Sequence, residues 1–326
     1  MTGSTVLVLV DHHDGTLRGP ALELLTAARG LGEVHVAWLG DGLDGALGLL
    51  GEHGAAVVHQ VRLDGPEARL APGVAQILEQ VAGAVGATTV LLSSTFENKE
   101  VAARLALATG AGLVVDAAGV ERGVDGRVVT VQQAFAATWT LRGEVTVEKA
   151  VVALKPNAVP VVPAPTPTTP QVQVHDVAVP ADLLGVRVVG RTERAGSDRP
   201  ELGEAQIVVT GGRGTDGDFS VVEDLADALG GAVGATRVAT DEGWISHDAQ
   251  IGQTGVTISP KLYIGAGVSG AVHHRGGMQS SGTIVAVNSD PEAPIFEIAD
   301  FGVVGDLFTV LPQAAAEIRR LRAADA

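Results

Sequence analysis

Side chains able to do chemistry are concentrated in a few places in this sequence. Asp11-His12-His13-Asp14 places four metal-ligand types at the end of an apolar run. Metal catalysis needs further Asp or His clusters to complete a coordination sphere, and none follows. The four are expected to cap a turn. Gly265-Ala266-Gly267-Val268-Ser269-Gly270 has the Gly-x-Gly-x-x-Gly form, with Asp290 twenty residues beyond Gly270. Behind a strand, such glycines let backbone approach a pyrophosphate, while the acid holds a ribose. The helix that follows, however, is expected to run only over 269–275, before Gly276-Gly277 interrupts it. Gly267–Ala271 stops one residue short of a Gly-x-Ser-x-Gly nucleophile elbow. No Gly-Lys pair exists in the chain, so a Walker-type phosphate loop is excluded.

Arg213, Arg237, Gln253, Thr254, His273, His274, Asn288 and Asp306 all stand beside glycines or at the ends of apolar runs. Open α/β sheets bind ligands in the crevice outside the C-terminal ends of their strands. Together these residues point to a large, polar, anionic ligand in the second half of the chain.

The elements that must position them follow from periodicity. Val6–Val10, Val34–Trp38, Val57–Val61, Val90–Leu92 and Leu113–Val115 read as buried strands, and Val74, Ile77, Leu78, Val81 and Val85 keep helical spacing. Ser94 and Glu97 form a capping-box pattern that opens a helix toward Thr109. Strand–helix alternation of this kind implies a parallel sheet covered by helices on both faces. Extended segments follow at Val128–Val131, Thr138–Arg142 and Val145–Leu154. Prolines 156, 160, 163, 165, 167 and 170 then rule out helix or central strand. A second break is the polar stretch Ala195–Gly203. Composition favours the first break as the domain boundary; the second competes, because Val172–Val174 and Val186–Val189 could return to the first sheet. Beyond it, Ile207–Thr210 restarts the pattern, Ser220 and Glu223 make another capping box, Leu262–Ile264 and Ile284–Val287 read as strands, and Leu311, Ala315, Ile318 and Leu321 give a closing helix.

Composition removes several function classes. The 326 residues carry 38 acids against 22 bases, a formal charge of −16, whereas a nucleic-acid surface needs a concentrated basic face. With no cysteine, disulfides, thiolate–metal sites and iron–sulfur clusters are excluded. No apolar run approaches the ~18 residues of a membrane span, and no basic leader opens the chain. A cytoplasmic protein without a transmembrane segment is expected.

Over about a hundred residues, from Val208 to Pro312, the sequence resembles the alpha subunit of electron transfer flavoproteins. The resemblance rests on Val209–Gly214, Leu225–Leu229, Ala232–Arg237, Gln250–Gly255, Ser259–Ile264, Val268–His274, Thr283–Asn288 and Glu292–Asp300, in that order and spacing. Earlier residues agree more loosely, through the N-terminal strand and Ser94-Thr95. The resemblance implies an α/β fold: a Rossmann-like N-terminal domain, residues 1–195, contacting a beta subunit, and a doubly wound parallel-sheet domain, residues 196–326, binding FAD.

It further implies a heterodimeric electron carrier, not a substrate-converting enzyme. Electrons would pass singly from flavin dehydrogenases, such as those of fatty acid β-oxidation, to a quinone oxidoreductase. By resemblance Arg237 lies against the flavin ring, His274 faces its C2 oxygen and Thr254 bonds N5. Gln253 and Ser269 hold the ribityl chain, Arg213 the phosphates, and Asn288, Asp306 and Leu307 the adenosine end. Thr236, Gln250, Ile251, Gly252, Gly270, Ala271, Val272 and His273 complete the cofactor-binding set, with no metal ligand. His273 and Gly282 stand where the family usually has Gln and Lys, and Thr236 replaces Ser. Two other readings stay open at this point: an NAD-binding oxidoreductase using the Gly265–Gly270 loop, and a structural paralogue without cofactor.

Overall fold

A computed structural model describes residues 4–63, 65–135, 137–177, 179, 185–190 and 198–324. The chain divides into two compact units, Met1–Gln133 with Thr140–Arg194, and Ala134–Trp139 with Ala195–Ala326.

In the first unit, strands β1 (Thr5–Leu9), β2 (His12–His13), β3 (Thr16–Leu17), β4 (Glu33–Leu39) and β5 (Val57–Arg62) alternate with helices α1 (Gly19–Arg29) and α2 (Leu47–Glu52). Then come α3 (Ala71–Val85), β6 (Thr89–Ser93), α4 (Phe96–Thr109), β7 (Gly112–Arg122), β8 (Val128–Ala134), β9 (Trp139–Glu144), β10 (Ala150–Leu154) and β11 (Gln171–Asp176). The main sheet runs β11-β5-β4-β1-β6-β10-β7-β8-β9. Its β11 to β7 pairings are parallel and β7–β8 is antiparallel. Strands buried on both faces explain the near-continuous apolar runs of β1, β6 and β10. Leu24, Leu25 and Ala28 of α1 pack with Val6 and Val8 on one face. Ile77 and Leu78 of α3, with Val101 and Leu105 of α4, pack with Leu7 and Leu9 on the other.

The second unit contains β12 (Ile207–Gly211), α5 (Ser220–Leu229), β13 (Ala232–Ala235), α6 (Arg237–Asp241), β14 (Leu262–Ala266), α7 (Val272–Met278), β15 (Thr283–Asn288), β16 (Phe301–Val304) and α8 (Leu307–Ala324). Its sheet is fully parallel in the order β13-β12-β14-β15-β16. Helices α5 and α8 cover one face through Val222, Leu225, Leu311 and Ala315. Tyr263, Val208, Ile284, Ile251 and Met278 fill the other. The chain leaves β12 to one side and returns on the other at β14. That topological switch point is where sheets of this order hold their ligand.

Several local expectations are corrected. Thr95, not Ser94, caps α4: its hydroxyl accepts from the Asn98 amide at 3.1 Å, while the Ser94 hydroxyl donates to Asp116 at 2.8 Å. At α5 the Ser220 hydroxyl caps nothing, and the Ser220 amide instead donates to Asp218 at 2.9 Å. Residues 145–149 are not part of β10. Val172–Val174 does return, as β11 paired with β5, whereas Val186–Val189 is described without a strand. Helix α7 starts three residues later than expected and passes through Gly276 and Gly277. Among the described residues no cluster of His, Asp or Glu could hold a metal ion. His12 is instead stacked on Trp38 at 3.9 Å, with Nε2 3.0 Å from the Leu39 carbonyl.

Candidate functional site

A cleft of about 650 Å³ lies at the C-terminal ends of the second unit's strands, within the 300–1,000 Å³ typical of cofactor pockets. It is shaped by loops that approach one another more closely than side chains allow. A Cβ on Gly214, after β12, would stand 2.7 Å from the Cα of Gly267, after β14. Gly267 has φ +62, a conformation side chains disfavour. A Cβ on Gly277 would stand 2.4 Å from the Gly252 nitrogen, so α7 can seat the 250–255 loop only because glycine is there. Gly276 meets the Gln253 side chain in the same way. The two glycines that looked like helix breakers hold the cleft wall together.

Twelve of the residues expected at the site line this cleft: Arg213, Thr236, Arg237, Gln250, Ile251, Gly252, Thr254, Ser269, Ala271, His273, His274 and Asn288. Five do not. Gln253 donates its amide to the His273 carbonyl at 3.0 Å, and its side chain lies along Gly276. Gly270, at φ +84, packs on Ile295, and Val272 is exposed on α7. Asp306 caps α8 by accepting from the Phe308 amide at 3.1 Å and the Thr309 hydroxyl at 3.0 Å. Leu307 is buried in the core with Leu311. Gly214, Val238, Gly267, Val268, Asp290, Ala293 and Pro294 complete the lining. Of these, Gly267, Val268 and Asp290 belong to the dinucleotide-like pattern, and Gly214, Ala293 and Pro294 to segments that carry the family resemblance.

The cleft is a positive spot on an acidic chain. Arg213 makes no ion pair among the described residues, and Arg237 is held by Asp241 at 3.1 Å. Asp290 is the one carboxylate among the residues lining the cleft. Two polar groups are left for a ligand. Thr236 Oγ1 is buried without a hydrogen-bond partner, and a buried group in that state calls for one. Thr254 Oγ1 accepts from Gln250 Nε2 at 3.0 Å, which leaves its own proton to donate; Gln250 is fixed in turn by the Thr240 hydroxyl at 3.1 Å.

His274 is buried, its Nδ1 3.1 Å from the Ile251 carbonyl and its Nε2 2.7 Å from the Tyr263 hydroxyl. A carbonyl only accepts, so Nδ1 carries the proton and Nε2 accepts from Tyr263. Burial pushes the imidazole down to about 4 against the lesser pull of the Ile251 carbonyl, so at pH 7 the ring is neutral. Burial likewise raises the Tyr263 phenol. The expected histidine is therefore present and uncharged at pH 7.

Two α/β units, the second with a fully parallel sheet and a cationic cleft at its switch point, define the class: a two-domain α/β binder of a large anionic cofactor. Sequence comparison is more specific. The electron transfer flavoprotein domain matches residues 6–181, and the electron transfer flavoprotein FAD-binding domain matches residues 201–279. Electron transfer flavoprotein subunit alpha of Mycobacterium leprae is 43% identical over 318 residues, 94% of this chain and 96% of that protein. The Bacillus subtilis counterpart is 35% identical over 326 residues, 98% of each chain. That of Paracoccus denitrificans is 53% identical over 128 residues, 39% of this chain and 42% of that one. The chain belongs to the electron transfer flavoprotein family, as an alpha subunit, and FAD is its cofactor. The cleft residues fit that group: free cationic charge for phosphates, an orphaned hydroxyl and a spare hydroxyl proton for a polar ring, and apolar walls around them.

Proposed function

We propose that this chain is the FAD-carrying half of a cytoplasmic heterodimer with a beta subunit. It passes electrons singly from flavin dehydrogenases to a quinone oxidoreductase and converts no substrate of its own. Bound FAD supplies a ring that accepts and releases electrons one at a time. The observation that carries the reading is the cleft itself, a cationic, glycine-shaped crevice at the switch point of an acidic domain.

In this reading Arg213 neutralises phosphate charge and Arg237 lies toward the ring. Thr254 donates to a ring nitrogen and Thr236 satisfies its hydroxyl on the cofactor. Asn288 is already oriented, donating to the Val268 carbonyl at 2.9 Å and accepting from the Asp290 amide at 3.0 Å. Asn288, with Asp306 and Leu307 at the start of helix α8, holds the adenosine end, and Asp290 lies beside Asn288. The 1–195 unit supplies the beta-subunit contact, and 196–326 supplies the cofactor domain.

Co-production with the beta subunit and addition of a reduced flavin dehydrogenase test this. Rapid bleaching of the bound flavin, followed by reoxidation through the quinone oxidoreductase, is expected. Flavin that neither protein can reduce or reoxidise would overturn the carrier assignment.

A further inference from the structure

Beneath His274 lies a second layer of hydroxyl groups that cofactor contact alone does not explain. Tyr263, on β14, is fully buried, and its ring runs along the strand over Gly265. A Cβ on Gly265 would stand 2.9 Å from the ring and 3.1 Å from the hydroxyl, so glycine at the first position of the dinucleotide-like pattern makes room for a phenol. Gly265 is in register with Thr210 of β12, and Thr210 with Gly234 of β13. The Thr210 side chain therefore sits between two residues that have none. Its hydroxyl feels the Tyr263 phenol, yet it is buried and makes no hydrogen bond of ordinary length and angle. A buried hydroxyl left in that state is costly unless another state of the protein uses it.

We propose that Thr210 and Tyr263 form a hydroxyl switch that lets buried His274 take up a proton when negative charge develops on the flavin ring. With His274 neutral, Nδ1–H donates to the Ile251 carbonyl and the Tyr263 hydroxyl donates to Nε2. With His274 charged, a proton from water in the cleft is bonded to Nε2, and Nε2–H donates to the Tyr263 oxygen. The Tyr263 hydroxyl then turns, keeping its own proton, and donates to Thr210 Oγ1. The O–H bond that breaks is that of a hydronium ion in the cleft, which leaves as water; within the protein only the new N–H forms, and every buried group involved except Thr210 in the neutral state has a partner. Tyr263 and Thr210 are thus positioning residues that act through His274. The inference rests on the proposed function and on the ring placement beside His274 that the family resemblance implies.

Charges on the surrounding elements do not supply the same effect. His273 and Arg275 share helix α7 with His274, and Arg275 is paired with Glu297 at 3.0 Å. Arg237 opens α6, Arg213 follows β12 and Asp290 follows β15. Burial, opposed by the Ile251 carbonyl, is what holds the His274 ring neutral, and Tyr263 meets its Nε2 at 2.7 Å. Strands β12 and β14 and the 250–258 loop carry no charged residue.

The test uses the FAD-loaded heterodimer and the variants Tyr263→Phe, Thr210→Val and His274→Asn. The first-electron potential is followed from pH 6 to 8. One proton per electron gives a tenfold change in the equilibrium per pH unit, about 59 mV. The wild-type chain is expected to show that slope, and both hydroxyl variants to lose more than half of it. Thr210→Val is also expected to keep the Nδ1–H tautomer of His274 at pH 7, read by ¹⁵N resonances of the full chain without cofactor. A flat wild-type profile, or a slope kept in either hydroxyl variant, overturns the switch. A His274→Asn protein with wild-type potential and slope overturns the placement of the ring itself.

Discussion

Three histidines on adjacent strands of the first unit form a hydrogen-bonded row whose acid response can be worked out. His35 Nε2 is 3.0 Å from the Glu33 carboxylate, His35 Nδ1 is 2.9 Å from His59 Nε2, and His59 Nδ1 is 2.9 Å from His175 Nε2. Glu33 only accepts, so His35 donates through Nε2 and accepts at Nδ1. The same polarity then passes along the row, with each Nε2–H donating toward Glu33. A proton added to His59 Nδ1 would face the His175 N–H. Burial, reinforced by both neighbouring rings, pushes His59 from its ordinary 6.5 down to about 4.

The sign follows from proton counting: below pH 6.5 the unfolded chain binds a proton that folded His59 refuses. The stability this provides is intact above 6.5 and is lost as pH falls toward 4. With those two values the loss between pH 7 and 5.5 is about 1.2 kcal/mol. His59→Gln keeps one donor and one acceptor but does not titrate. Urea unfolding read through Trp38, with Trp139 and Trp244 replaced by Phe, should show the wild-type first unit losing about 1.2 kcal/mol more than His59→Gln over that interval. Equal losses in the two proteins would refute the row as drawn.

Three further outcomes are expected. Arg237→Ala should lower the first reduction potential by about 100 mV. A cation about 4 Å from a developing anion is worth about 4 kcal/mol at an effective dielectric near 20, and exposure with the Asp241 pairing reduces this to roughly half; spectroelectrochemical titration checks it. Gly277→Ala drives a methyl into the Gly252 backbone and should weaken FAD binding by about tenfold, given the ~1–3 kcal/mol usual for overpacking; fluorescence titration of FAD reads it. Thr95→Ala removes the cap of α4 and should cost about 1 kcal/mol in urea unfolding with FAD affinity unchanged.

Much of this architecture is legible in the sequence, because buried parallel strands write themselves as runs such as Val6–Val10 and Val90–Leu92. The two capping errors have separate causes: at α5 the Asp218 carboxylate takes the Ser220 amide, and at α4 the cause is competition. Adjacent hydroxyls compete for one cap, and Ser94 is diverted to Asp116, a residue whose nearness depends on the fold. Gly276-Gly277 reads as a helix breaker from propensity, whereas close packing on Gly252 and Gln253 is what selects glycine there. The capping of α8 by Asp306 and the packing of Leu307 on Leu311 appear only in three dimensions. Thr210, Tyr263 and the His35–His59–His175 row carry no local signal, since strand register brings them together across long stretches of chain.

The central claim is that the switch-point cleft of the second unit holds FAD. Its most direct test is the FAD-to-protein ratio and the FAD dissociation constant of the co-purified heterodimer, measured for the wild-type chain and for Arg213→Glu. One FAD per heterodimer, with affinity lowered at least tenfold in the variant, is the predicted result. A wild-type protein that takes up no FAD, or a variant that binds it as tightly as the wild type, would contradict the account.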